Sequence, residues 1–158
     1  AGDVLPAGFV TPDGSSGAWT TATDQAFEGT TSLRSAQIVG PGGSAFANSD
    51  LTQTASLPAG QLAFAYRVSS YPGYGFLEFL VDGVVVLSDT GETGWKVFQY
   101  TLPTAKSYTL KWRFKNSLTF NCRFAIPAPP GGANCADRAW IDALALPASL
   151  AAPSVTIA

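Results

Sequence analysis

Leu62, Phe64, Tyr66 and Val68 recur at strict period two, and this alternation constrains the chain more than any other feature. Around a helix these side chains would scatter, whereas along a strand all four point to one face and can be buried together. The pattern returns in Tyr108, Leu110, Trp112 and Phe114, with Lys111, Arg113 and Lys115 on the opposite face. Trp95 to Leu102 alternates again and stops at Pro103, and Ala139 to Leu146 reads as a last strand. Phe76 to Val81 and Val84 to Leu87 are joined by Asp82-Gly83, a pair suited to a tight hairpin because both central residues need positive φ. Leu62, Phe64, Tyr66, Leu110, Trp112 and Ile141 are the expected core. Trp95 is assigned to the core with Trp112, and Trp19 and Trp140 are read as structural.

The remainder of the chain is punctuated to match. Hydrophobic residues make up 46% and charged residues 13%, and 16 Gly and 11 Pro cut the sequence into short pieces, as in strand-and-turn proteins. Residues before Trp19 read as an irregular lead-in or edge strand. Ser32 to Ile38 has a strand pattern, Pro41-Gly42-Gly43 forces a turn, and Ala47 to Ala55 follows as another strand. Short strands with frequent turns predict an all-β fold, a two-sheet antiparallel β-sandwich of jelly-roll type. Its 158 residues fit one domain. Residues 1–147 are expected to form that module, and 148–158, rich in Ala, Ser and Pro, a linker or the start of a neighbouring one.

Several chemistries are excluded early. The chain has no His, so it cannot build a Ser-His-Asp or Cys-His nucleophile or an imidazole metal site. A formal net charge of -2 with scattered cations argues against nucleic acid as a partner. The apolar run from Gly83 to Leu87 is too short to cross a bilayer, and no cationic-then-apolar leader opens the chain, so a soluble mature fragment without membrane insertion is expected. Cys122 and Cys135 bracket a stretch without periodicity that burial alone would hardly order. A disulfide there contributes about 3 kcal/mol in the chain-entropy account and implies an oxidising, extracellular setting. Two unpaired buried thiols are the alternative.

Read in order, Phe27-Glu-Gly-Thr-Thr-Ser-Leu-Arg-Ser35, Leu57-Pro-Ala-Gly-Gln-Leu-Ala-Phe-Ala-Tyr-Arg-Val-Ser-Ser70, Phe76-Leu-Glu-Phe-Leu-Val-Asp-Gly83, Gly94-Trp95, Tyr108-Thr-Leu-Lys-Trp112 and Ala139-Trp-Ile-Asp142 form a series. It resembles the jelly-roll module of secreted bacterial proteins that is similar to MAM and cleaved-adhesin domains and, more distantly, to calcium-containing carbohydrate-binding modules. The resemblance covers most of residues 19 to 147. It implies a structural Ca²⁺ between Glu28 and Asp142, with Asp24 or Asp137 and oxygens of the Gly29 to Ser32 segment completing the shell. Without the ion, Glu28 ends a turn and Asp142 caps a solvated strand face. The chain departs from the pattern at Tyr71-Pro-Gly-Tyr-Gly75, which lacks acidic residues, and at Lys115-Asn116, which leads into the Cys-bracketed insertion.

These departures leave Tyr71, Tyr74, Phe120 and Phe124 on a loop pair, an expected apolar recognition surface with Asn116 and Asn121 as polar contacts. Sugars stack on exposed rings and bond to nearby amides. No carboxylate pair stands out for catalysis, so the chain is read as a binding module and not an enzyme. A polysaccharide or surface glycan bound by an accessory domain of a larger secreted protein is one expectation. A protein partner in adhesion, or a structural spacer beside a secreted hydrolase or protease, is the other.

Overall fold

The computed structural model describes residues 8–12, 15–38, 46–122 and 135–147. In chain order the strands are β1 (Phe9–Val10), β2 (Thr20–Ala22), β3 (Ser32–Arg34), β4 (Phe46–Leu57), β5 (Gly60–Ser69), β6 (Gly75–Val81), β7 (Val84–Thr90), β8 (Lys96–Leu102), β9 (Lys106–Ser117) and β10 (Arg138–Ala145). They pair antiparallel into two five-stranded sheets, β1-β4-β9-β6-β7 and β2-β3-β10-β5-β8, the β-sandwich that the alternation predicts.

The six expected core residues are all buried. Phe64, on β5, packs against Phe79 on β6 and Trp112 on β9 with ring centroids 4.9 and 5.7 Å apart, and Phe79 and Trp112 lie 5.0 Å from each other. This cluster joins the two sheets, since Phe64 belongs to one and its partners to the other. Burying rings of this size contributes several kcal/mol each through area and dispersion. Trp19 is buried as well and donates its indole N–H to the Ser49 carbonyl at 2.9 Å, which pins the lead-in to β4.

Turn chemistry closes the strands as expected at Asp82 and Gly83, whose φ angles are 49° and 84°. Asp82 also accepts the Thr109 N–H at 2.8 Å, tying the hairpin to β9.

Two expectations need correction. The strand expected over Ser32 to Ile38 ends at Arg34, because side chains take over the bonding: the Ser35 hydroxyl accepts the Ala139 N–H at 3.0 Å and the Ser49 hydroxyl accepts the Ala36 N–H at 3.1 Å. The chain is thereby carried from one sheet toward the other. Trp95 is half-buried and not a core residue. On β8 the inward set is Phe98, Tyr100 and Leu102, and an odd-numbered residue on the same alternation falls on the outer face. The turn expected at Pro41-Gly42-Gly43 and the linker expected over 148–158 lie outside the described residues.

At one edge, the sheets are closed by a polar clasp. Tyr66 of β5 donates its phenol to the Asp89 carboxylate at 2.7 Å, and Lys96 of β8 reaches the same oxygen at 3.0 Å. Burial, reinforced by Asp89, pushes the Tyr66 phenol well above its ordinary value. For Asp89 burial acts the other way, but the bonds from Tyr66, Lys96 and Thr90 outweigh it and hold the carboxyl below its usual range. The clasp therefore stabilises the fold fully between the ordinary carboxylate value of 3.8 and the ordinary phenol value of 10.0. Its contribution is lost as pH falls below the first or rises above the second. Asp89→Asn should lower stability by about 1.5–3 kcal/mol, the worth of a hydrogen bond to a charged group, and flatten the acid limb of the curve. Urea denaturation from pH 2 to 8 checks this, and a variant as stable as the wild type at pH 7 contradicts it.

Candidate functional site

The turn between β5 and β6 is built by Tyr71, whose carbonyl accepts the N–H groups of Tyr74 and Gly75 at 3.0 Å each. Gly73, at φ 84°, supplies the left-handed residue that this turn requires. Gly75 is needed for space: a Cβ there would come within 2.3 Å of Asn116 Oδ1 and 2.6 Å of Ser70 Cβ. Because Gly75 pairs with Asn116 across β6 and β9, the end of β9 lies beside this turn, and Ser117 donates its N–H to the Tyr74 carbonyl at 2.9 Å. The Ser117 hydroxyl then accepts the N–H groups of Thr119 and Phe120 at 3.1 and 2.9 Å, which turns the chain so that Phe120 meets the two tyrosines.

Three of the expected recognition residues converge in this way. Ring centroids are 5.5 Å apart for Tyr71 and Tyr74, 4.7 Å for Tyr74 and Phe120, and 6.5 Å for Tyr71 and Phe120. Tyr74 is 38% and Phe120 39% exposed. The three rings form an aromatic cluster that is partly open to solvent. Phe124 lies outside the described residues.

The two asparagines do not join that surface, which corrects the expectation for them. Asn116 and Asn121 are both fully buried. Asn116 donates its amide to the Ile38 carbonyl at 2.7 Å and to Asp137 Oδ1 at 3.1 Å, and Asn121 donates to the Ser117 carbonyl at 3.1 Å. Both serve as scaffold, Asn116 where β6 and β9 close on each other at Gly75 and Asn121 in its bond back to Ser117. Cys122 and Cys135 form the expected disulfide, with Cα atoms 5.6 Å apart, two residues beyond Phe120. The Cys122 N–H bonds to Asp137 Oδ1 at 3.2 Å.

The expected calcium ligands do not assemble into an oxygen cage. Asp137 precedes β10 and Asp142 lies within it, five residues on, a separation of roughly 16 Å at about 3.3 Å per residue. Asp142 is already engaged: Oδ2 accepts the N–H groups of Phe27 and Glu28 at 2.8 and 3.1 Å, and Oδ1 accepts that of Ala143 at 2.7 Å. Asp24 meets Arg34 at 3.3 Å and the Trp140 indole N–H at 3.2 Å. The Ser32 hydroxyl donates to the Gln25 carbonyl at 2.7 Å, and Glu28 is exposed. The cavity beside Asp142, about 320 Å³, is lined by Phe9, Leu33, Ile141 and Leu144 together with Thr21, Thr31, Ser32 and Asp142. In this arrangement Asp142, Asp24 and Ser32 are engaged by protein groups. Instead, at the bulge where β10 shifts register between Asp142 and Ala145, Asp142 uses amide donors to fasten the Phe27–Glu28 backbone to the sheet.

That fastening reveals a pair the alternation did not single out. Phe27, 44% exposed, packs on half-buried Trp95 with centroids 5.9 Å apart. The available signal was the even-numbered core set on β8, which leaves Trp95 on the outer side.

Among the described residues Asp50 is bonded by Arg113 at 3.0 and 3.1 Å, Asp82 by Lys106, Asp89 by Tyr66 and Lys96, and Glu92 by Ser69.

No protein-family model matches this chain, and no curated protein matches it. Solved structures do share its fold. The K1 cleaved adhesin domain of Lys-gingipain from Porphyromonas gingivalis superposes with a TM-score of 0.58 at 14% identity, over 92% of this chain and 93% of that one. The secreted serine protease VesC from Vibrio cholerae gives 0.60 at 13% identity, over 91% of this chain but 27% of the protease. Carbohydrate-binding modules of the β-sandwich superfamily, described for promiscuous specificity, give 0.54 at 14% identity over 87% of this chain and 56% of theirs. The resemblance to cleaved-adhesin and carbohydrate-binding jelly rolls thus holds at the level of fold.

Two outcomes follow from the site's construction. Asp142→Ala should cost about 1.5–3 kcal/mol by removing hydrogen bonds to a charged acceptor, while a chelator should leave the wild-type melting curve unmoved. A chelator-dependent drop would restore the ion. Reducing the disulfide should make the segment around Phe120 sensitive to protease while the sandwich stays folded. Loss of the whole β-sheet circular-dichroism signal on reduction would contradict that.

Proposed function

We propose that this chain is a non-catalytic, extracellular binding module that takes a glycan on the ring group Tyr71, Tyr74 and Phe120. The single observation that carries the reading is the convergence of these rings from two loops, with Tyr74 and Phe120 more than a third exposed. Ring faces held by the Ser117 turn give a pyranose an apolar surface at little conformational cost, and the phenol groups of Tyr71 and Tyr74 can bond hydroxyls around it. The engagement of Asp24, Asp50, Asp82, Asp89, Glu92 and Asp142 in structural bonds supports a role without catalysis. The disulfide supports an oxidising compartment.

The same fold in an adhesin domain and in a fraction of a secreted protease supports an accessory position in a longer chain, with 148–158 as the connector. A protein-binding adhesion role has the same fold-level support.

Glycan-array screening followed by calorimetry tests the reading. Tyr74→Ala and Phe120→Ala should each weaken retention about tenfold, or about 1.4 kcal/mol, with little change in melting temperature because both positions are partly exposed. Failure of the array to retain the wild type, or unaltered affinity in both variants, would overturn it.

A further inference from the structure

On the outer face of the β2-β3-β10-β5-β8 sheet two arginines, Arg67 and Arg138, form no ion pair among the described residues. Leu33, Ile141 and Tyr66 are aligned in register and belong to the core, so Arg34, Trp140 and Arg67, the adjoining aligned row, face outward. Arg138, two residues before Trp140 on β10, shares that face and pairs with Ser69, which puts it diagonal to Arg67. Diagonal neighbours in an antiparallel pair are about 7–8 Å apart, within reach of long side chains. Arg67 and Arg138 have neither an ion pair nor a hydrogen-bonded side-chain partner among the described residues, and their Nε atoms are buried and unbonded.

The acids nearby direct their hydrogen bonds to other groups, Asp142 and Glu92 to neutral donors that leave them charged. Asp24 holds Arg34 and Trp140, Asp142 holds three backbone N–H groups, and Glu92 is bonded by Ser69. A guanidinium keeps its charge when partly buried, so Arg67 and Arg138 retain N–H donors that an arriving carboxylate can pair directly. Burial, and then repulsion from Arg34, both lower the proton affinity of Arg138 against the attraction of Asp24.

Aromatic surface lies on the same face. Asp142 is aligned with Ala65, and Ala65 with Val97. Asp142 fastens the Phe27 backbone over this row, and Trp95, two residues before Val97, meets the Phe27 ring.

We propose that Arg67 and Arg138, with the Phe27–Trp95 pair, form a second binding surface for a carboxylated polysaccharide, a chain of uronate-type sugars. The rings offer stacking to a pyranose face. The guanidiniums offer paired bonds to its carboxylate, as Arg113 does for Asp50 through Nε and Nη2 at 3.0 and 3.1 Å. An acidic peptide fits less well, because the middle of a sheet has no unpaired backbone edge to hold an extended chain. This surface shares no residue with the Tyr71, Tyr74 and Phe120 group, so failure of either site leaves the other's test intact.

Affinity electrophoresis in gels containing polygalacturonate, neutral galactan or polyglutamate tests it on the whole chain. The wild type should be retarded by polygalacturonate alone, and less so as salt rises. Arg67→Gln with Arg138→Gln should weaken that retardation at least tenfold. Lys111→Gln, which removes a charge from the other sheet's outer face, should leave it unchanged. Should the double variant melt early, Phe27→Ala at its exposed position provides the second reading and should also reduce retardation. A wild type not retarded by polygalacturonate, or substitutions at Arg67, Arg138 and Phe27 that retain full affinity, would overturn the site. Equal retardation by polyglutamate would overturn the polysaccharide as its occupant.

Discussion

The packing of Phe64 against Phe79 and Trp112 across the two sheets is the contact on which the rest of the molecule depends. A sheet of alternating residues has one face that water disfavours, and it becomes stable only when that face meets another of its kind. Phe64 and its partners are fully buried and make that meeting dense at the centre. At the margins the sheets are held by polar bonds: Trp19 to the Ser49 carbonyl, and Tyr66 and Lys96 to Asp89. Burial of rings provides the bulk of the stabilisation, and the polar bonds specify how the edges align.

With the sandwich in place, both candidate surfaces are assembled by polar side chains that bond the backbone of neighbouring loops. Ser117 is the pivot for the first, since its N–H joins Tyr74 and its hydroxyl turns the chain to Phe120. Beneath it, Asn116 links Ile38 and Asp137, and the disulfide anchors Cys122 to Cys135. Asp142 plays the corresponding part for the second surface by fastening the Phe27 segment to β10. A carboxylate that collects three amide N–H groups holds a loop as a cation would, with the loop's donors in place of its carbonyls. The aromatic residues on each surface are thus partly ordered before any ligand arrives, which reduces the entropy lost on binding.

A shared fold among an adhesin domain, a protease segment and carbohydrate-binding modules does not choose between their partners, because function resides in what the loops and outer faces carry. Here the two surfaces differ in chemistry. One is neutral and aromatic at the end of the sandwich. The other combines arginines with an aromatic pair on a sheet face.

The local pattern of residues was sufficient for the sandwich, the Asp82-Gly83 hairpin, the core around Phe64 and Trp112, and the pairing of Cys122 with Cys135. These depend on period, turn propensity and short loop closure, all expressed over a few neighbouring positions. The meeting of Tyr71, Tyr74 and Phe120 was legible in part, because loop aromatics beside strand ends are expected to be exposed. The burial of Asn116 was not, since it follows from β6 and β9 closing at Gly75, dozens of residues away in the chain. Trp95 looked like a core residue while its alternation was read alone, and only the register of β8 against β5 decided that the even-numbered set faces inward. Likewise Glu28, Asp24 and Asp137 look like oxygen ligands for Asp142 until the strand separates Asp137 and Arg34 claims Asp24. Sequence determines which residues can share a face, but which faces meet, and which charges find partners there, is decided by long-range register and packing.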